Sequence, residues 1–255
     1  MTDIRLETQA LSRRFGALVA VQGIDFKLAA GARHALIGPN GAGKTTFINL
    51  LTGVLPPTRG RVLLSGRDIT GTAQAERVKL GIARTFQINR LFRGLSVLEN
   101  VCIAVSERTG AAGTMFTAAG RRTDIIDESM QLLQTFRLAD VARHRISELP
   151  YGRQRLVELA ITIGLKPEVL LLDEPAAGVP SAESHIILEA IERLPEHIAV
   201  LIIEHDMDVV FRFAHRVTVM VSGALFAEGT PREIEADARV REVYLGQAGH
   251  GASHG

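Results

Sequence analysis

Residues 38–46 read Gly38-Pro39-Asn40-Gly41-Ala42-Gly43-Lys44-Thr45-Thr46, which fits G-x-x-x-x-G-K-[ST]. The residue types suit an anion. Glycines can take positive φ and let the backbone wrap closely around a phosphate. A helix starting at the end of such a loop turns its free N–H groups, with the positive end of its dipole behind them, toward the same point. Lys44 adds a compact ammonium for the β- and γ-phosphates, and Thr45 adds a hydroxyl for Mg²⁺. The pattern therefore predicts a nucleoside triphosphate site.

A second group of polar residues follows apolar runs. Asp173-Glu174 comes directly after Val169-Leu170-Leu171-Leu172, the signature of a strand buried on both faces. Ligands bind beyond the carboxyl ends of such strands. There Asp173 is expected to hold Mg²⁺ from outside its inner ligands, and Glu174 to orient and activate the attacking water. Gln87 and His205 each end a predicted core strand; Gln87 can reach the metal or the water, and His205 can hydrogen-bond the γ-phosphate. Phe15, after a strand upstream of the loop, can stack on a purine ring or pack in the core.

These residues need elements to carry them. Ala35-Leu36-Ile37 before the loop reads as the end of a buried strand, and Phe47, Leu50 and Leu51 after it recur at helical spacing up to Gly53. Residues 4–10 and 19–28 alternate and pair as an antiparallel edge; 61–65 is a further strand, 74–80 a short helix and 81–87 strand-like. Ser96-Val97-Leu98-Glu99 is a capping box opening a helix to about Val105. Residues 106–122 lack a clear period, and 123–137 is helical with Ile125, Ile126, Leu132, Leu133 and Phe136 on one side. Strands resume at 168–172, 198–203, 217–221 and 225–227, with helices over 181–194, 206–213 and 231–236. Residues 246–255 are expected to be a flexible tail.

Composition narrows the class. The 255 residues are 46% hydrophobic and 22% charged with a net charge of +1, so a real core is expected and no polybasic surface for nucleic acid. A single cysteine, Cys102, leaves no internal disulfide framework. The opening residues Met1–Glu7 carry acids and no apolar core, so no signal peptide is expected, and no apolar run approaches the roughly 20 residues of a spanning helix. A membrane role would go through a partner.

Taken together, the motifs resemble the nucleotide-binding domain of ABC transporters along essentially the whole chain. Phe15-Gly16 stands at the adenine-stacking aromatic, 38–46 at the Walker A loop, and Arg84-Thr85-Phe86-Gln87 at the Q-loop. Leu149-Pro150-Tyr151-Gly152-Arg153 falls at the signature, Leu170–Glu174 at Walker B, and His205 at the switch histidine. Within the family the chain is most similar to the ATPase subunits of branched-chain amino acid importers. That likeness rests on Gly81–Gln87, Arg90–Arg93, Val97–Asn100, Asp173–Gly178, Ile203–Met207, Ala227–Pro231 and Tyr244–Gly246.

The resemblance implies an α/β P-loop NTPase core with an antiparallel β edge and an inserted helical subdomain. The core would span 1–89, with Walker A, and 166–245, with Walker B and the histidine; the helical subdomain with the signature would span 90–165. It implies ATP and Mg²⁺ as cofactors, with Thr45, Gln87 and Asp173 at the metal. Tyr151 and Gly152 would face the ATP of a second ATPase subunit. Integral membrane permease subunits would hold the chain on the cytoplasmic face of the cell membrane. The chain departs from the family pattern at Pro150, where a serine hydroxyl is usual, at Arg153 in place of glutamine, and in the loop Gly178-Val179-Pro180-Ser181. Proline there also removes an N–H. Three other readings remain: a non-transport ABC ATPase, a small-molecule P-loop kinase, and a nucleotide-dependent regulator that hydrolyses ATP weakly.

Overall fold

The computed structural model describes residues 3–85, 91–111 and 119–248. Backbone contacts divide it into two units, one of Met1–Arg77, Glu168–Glu174 and Glu196–Gly255, the other of Val78–Pro167 and Pro175–Pro195.

The first unit holds two sheets. One is antiparallel, in the order β2-β1-β4-β5, from β1 (Ile4–Phe15), β2 (Leu18–Ala29), β4 (Arg59–Leu64) and β5 (Arg67–Asp68). The strand expected over residues 4–10 continues to Phe15, bent by register shifts around Ala10, whose φ is +48°. Alternation turns Leu6 and Thr8 inward, and the shift at Ala10 returns Leu11 to the same face, against Ile24, Phe26 and Leu28. Thr8 satisfies its buried hydroxyl by donating to the Ile24 carbonyl at 2.8 Å and accepting the Phe26 N–H at 3.0 Å.

The other sheet carries the predicted chemistry. Here β3 (Arg33–Ile37), β7 (Val169–Asp173) and β8 (Ala199–Ile203) run parallel with β8 between the other two, and every residue in them is buried. Beyond β3 come β9 (Arg216–Val221), parallel to it, and β10 (Ala224–Gly229), antiparallel to β9. Unbroken apolar runs suit strands covered on both faces. The parallel register brings the carboxyl ends of β3, β7 and β8 to one edge.

Helix α1 (Lys44–Thr52) starts just past β3 and stops at Gly53, as its apolar spacing predicts. Its end is pinned by Arg77 in α2 (Gln74–Lys79), a side chain only 1% exposed. Nη1 of Arg77 donates to the Leu50 and Leu51 carbonyls, each at 2.8 Å, while Nη2 donates to Thr70 O at 2.8 Å and Nε to Thr72 O at 3.0 Å. Carbonyls of a last helical turn have no partner inside the helix, and a buried guanidinium supplies one. The unit ends with α7 (Met207–Phe213), α8 (Pro231–Ala236), opened by a Thr230/Glu233 capping box, and α9 (Ala238–Ala248). Helix α9 was not expected, and it carries through residues 246–248 of the expected tail; residues 249–255 lie outside the described residues.

The second unit contains β6 (Ile82–Arg84), α3 (Val97–Arg108), α4 (Ala119–Thr135), α5 (Tyr151–Gly164) and α6 (Ser181–Glu192). Helix α3 packs on α4 and α5, and α5 on α6. Val97, Val101, Val105, Leu133, Phe136, Leu156 and Ala160 are buried there. Ile126, expected on the apolar side of α4, is instead 45% exposed. The Ser96/Glu99 capping box forms as predicted. Asn100, 2% exposed, anchors the preceding loop: its side-chain amide donates to Ser96 O and Phe92 O, and its oxygen accepts the Phe92 N–H.

Candidate functional site

The loop between β3 and α1 is forced into shape by its backing. Gly43, the residue before α1, has φ +98°, and a Cβ there would collide with the Ala20 carbonyl oxygen of β2. At Gly38 a Cβ would collide with the Met220 carbonyl oxygen of β9. Only glycine fits where backbone meets backbone this closely. The tight turn between β9 and β10 completes the backing. There Gly223 N–H donates to Ala42 O at 2.9 Å, and Gly223 O accepts the Gln22 N–H at 2.7 Å.

Lys44 folds over the loop, its ammonium donating to Gly38 O at 2.6 Å and Pro39 O at 3.1 Å. Burial pulls its pKa below the usual lysine value, while the carboxylates of Glu174 and Asp173 push it back up. These groups share one cavity of about 520 Å³, lined by Asn40–Thr46, Asp173, Glu174 and Ile203. Phe15, Leu18, Val19 and Ala20 line it as well, an apolar stretch beside the cradle, with Ser222 and Gly223. Phe15 is 43% exposed, so it is not a core residue; the Arg13 guanidinium lies 4.7 Å from its ring centroid.

The end of the sheet presents two carboxylates differently. Asp173 is buried within β7, whereas Glu174 leaves the strand at φ +46° with its N–H donated to Ile203 O at 3.0 Å. A non-glycine residue in this region is strained by about 1–3 kcal/mol and persists where the surroundings demand it. Nδ1 of His205, just past β8, lies 3.7 Å from Glu174 Oε1, with the imidazole largely exposed. The structure therefore brings Phe15, residues 38–46, Asp173, Glu174 and His205 to one place. Gln87 lies outside the described residues.

The donor set fits a triphosphate with its cation. A cradle of backbone N–H groups and an ammonium can hold phosphate oxygens, and the Thr45 hydroxyl with Asp173 can take part in binding Mg²⁺. Among the described residues no cluster of three or more His, Cys, Asp or Glu could hold a metal by itself. A cation here would need phosphate oxygens and water to complete its shell, as Mg²⁺ habitually does.

Tyr151 and Gly152 belong to the second unit, where they open α5. Pro150 is the cap residue, one place before the helix rather than inside it, with φ −56° and ψ 151°, and contributes no side-chain hydrogen bond. A Cβ on Gly178 would stand 3.6 Å from the Tyr151 ring, and the Arg155 guanidinium lies 5.0 Å from the ring centroid. Tyr151 is 37% exposed and Gly152 buried. Arg153 pairs with Asp140 at 2.7 Å.

The sequence model described as ABC transporter matches residues 21–177, from β2 through both carboxylates. The chain belongs to the ABC transporter family. A second model, described as branched-chain amino acid ATP-binding cassette transporter, matches residues 224–250, which include β10, α8 and α9. Among curated proteins, the high-affinity branched-chain amino acid transport ATP-binding protein LivG of Salmonella typhimurium is 39% identical, covering 97% of this chain and 100% of LivG. The protein of corresponding description from Pseudomonas aeruginosa, BraF, is 38% identical over 95% of this chain and 98% of its own. Among solved structures, the ADP conformation of an ATP-binding cassette of an ABC transporter superposes with a TM-score of 0.83 at 29% identity, covering 95% of this chain and 99% of that one. The P-loop core with its antiparallel sheet and helical unit is thus the family's fold.

Reading motifs alone missed several contributors. The backing of the loop by Ala20, Met220 and Gly223 comes from residues more than ten positions away in sequence, and no local pattern marks them. Glu204 is different. A charged residue directly continuing an all-apolar strand was visible, and the structure shows it 3% exposed.

Proposed function

We propose that this chain is the ATP-binding and ATP-hydrolysing subunit of an ABC importer for branched-chain amino acids or a related small polar solute. The observation that carries the reading is the cavity in which Glu174, with His205 beside it, shares walls with the Lys44 cradle. The solute class rests on the full-length likeness to LivG and BraF and on the C-terminal match.

In this reading residues 38–46 grip the phosphates through N–H groups and Lys44, and Phe15 stacks on adenine. Thr45, Asp173 and Gln87 serve Mg²⁺, which when bound neutralises charge on the phosphates. Glu174 accepts a proton from the attacking water, and His205 fixes the γ-phosphate side of the site. The nucleotide core spans 1–89 and 166–245, the helical subdomain 90–165. Tyr151 and Gly152 complete the site of a second ATPase subunit, and permease subunits hold the pair at the cytoplasmic face of the membrane. Among the described residues no helix is long and apolar enough to cross a membrane, so attachment through a partner suits the chain.

The test is Glu174→Gln. It should bind ATP as the wild type does and lose turnover by about 10²- to 10⁴-fold, the contribution typical of a general base. Wild-type turnover would remove Glu174 from that role, and failure to co-purify an integral membrane protein with the native chain would count against the importer reading. One feature favours a weakly hydrolysing regulator as a second reading: Pro150 offers neither hydroxyl nor N–H at the start of α5. If the missing hydroxyl limits hydrolysis, Pro150→Ser raises turnover; unchanged turnover means that the remaining donors suffice.

A further inference from the structure

Glu204 follows the five buried residues of β8, and its own side chain is 3% exposed. An apolar residue would fill such a place at no polar cost, whereas a carboxyl must find partners or be penalised. Burial, with Glu174 nearby, pushes its pKa up to about 7; His205 opposes that rise. The carboxyl is not the cap of α7, because Asp206 fills that role by accepting the Asp208 N–H at 2.9 Å. Its Oε2 instead accepts the backbone N–H of His205 at 3.3 Å, and the Asp206 N–H favours its charged form as well.

The segment it grips is short and held from both sides. Upstream, Ile203 O accepts the Glu174 N–H at 3.0 Å, tying the end of β8 to the strained residue after β7. Downstream, Glu204 holds the peptide N–H of the residue that bears the imidazole. His205 itself is 71% exposed and has little packing to orient it, yet its Nδ1 lies 3.7 Å from Glu174.

We propose that Glu204 is a positioning residue for ATP hydrolysis: its buried carboxyl holds the peptide that carries His205, and so keeps the imidazole beside the Glu174 carboxylate. This rests on the hydrolytic roles proposed above for Glu174 and His205. A group that acts through another has a recognisable signature. Removing it should lower kcat while leaving nucleotide affinity alone, a residue that keeps an acceptor oxygen should restore it, and its removal should cost nothing once His205 is gone.

The experiment measures ATP turnover and KM of the full chain for Glu204→Met, Glu204→Gln, His205→Ala and the double variant Glu204→Met/His205→Ala, with thermal melts alongside. Methionine conserves volume and relieves a buried carboxyl, so it should fold; Glu204→Ala is a second variant without an acceptor if it does not. The expected result is a tenfold or greater fall in kcat for Glu204→Met with KM within twofold of wild type. Glu204→Gln should stay within about threefold, and the double variant should be no slower than His205→Ala. Wild-type kcat in Glu204→Met, failure of glutamine to restore turnover, or an additive loss in the double variant would overturn the inference. If His205→Ala alone turns over normally, it is the role given to His205 that falls, which the single variant reports independently of Glu204.

Discussion

Glu204→Gln also makes a quantitative prediction about stability. In the fold, burial raises the carboxyl to about 7 from an ordinary value of 4.5. Between those two pH values the folded chain keeps a proton that the unfolded chain releases, so stability falls as pH rises through the window. Below about pH 4.5 the penalty is absent, and above about pH 7 it is fully present. At about 1.4 kcal/mol per pH unit the gap is on the order of 3 kcal/mol, most of which accrues between pH 5 and 8. Glutamine has the same shape, keeps an acceptor for the His205 N–H and does not ionise. Urea unfolding of both proteins at pH 5, 6, 7 and 8, without nucleotide, reads the difference directly. The variant should gain on the wild type by roughly 2–3 kcal/mol from pH 5 to pH 8. Titrating groups that do not interact with Glu204, His34 among them, cancel in that comparison. A difference constant with pH would refute the reasoning, since it would mean that the carboxyl finds better partners in the fold than its burial allows.

His34, buried and within 2.7 Å of Thr218 Oγ1, is lowered by desolvation to about 4, so its stabilising effect is complete above about pH 6.5 and is lost as pH falls from 6.5 toward 4. An NMR titration should find it neutral at pH 5.5, and an ordinary histidine midpoint there would contradict its burial. Gly43→Ala should weaken nucleotide binding by 100-fold or more in a fluorescence titration, because the new Cβ meets Ala20 O at a residue with φ +98°; unchanged affinity would mean that the backing of the loop yields easily. Arg77→Ala removes the guanidinium donor from the Leu50, Leu51, Thr70 and Thr72 carbonyls, of which Leu50 keeps the Gly53 N–H, and should cost about 3–5 kcal/mol in urea unfolding. Asn100→Ala should cost about 2–3 kcal/mol by the same measurement, from three lost hydrogen bonds at a site only 2% exposed.

Much of the candidate site was legible because its geometry is local. A glycine loop before a helix makes an anion cradle from consecutive residues, and an apolar run ending in acids makes a strand tip, so residues 38–46 and 173–174 declared themselves. The Ser96/Glu99 capping box and the stop of α1 at Gly53 were readable for the same reason, each resting on partners within one helical turn. Helix α9 was not: its chain offers little apolar periodicity to mark it among glycine- and histidine-rich neighbours. Ile126 shows the opposite failure, since a helical period says which residues share a face and not whether anything covers it.

The sequence by itself determined the glycine loop with Lys44 as a candidate anion cradle, the order of the motifs along the parallel sheet and the family they belong to. Which residues stand beside that loop was decided only in the tertiary structure. Parallel register brings Glu174 and His205 together across 31 positions of chain, and backbone carbonyls from Ala20 and Met220 make glycine obligatory at 43 and 38. Burial, which no single residue type specifies, makes Glu204 a raised carboxyl behind the histidine rather than a solvated strand end. Contacts between backbone groups far apart in the chain depend on the fold's geometry and not on side-chain identity, which is why a linear pattern carries no record of them.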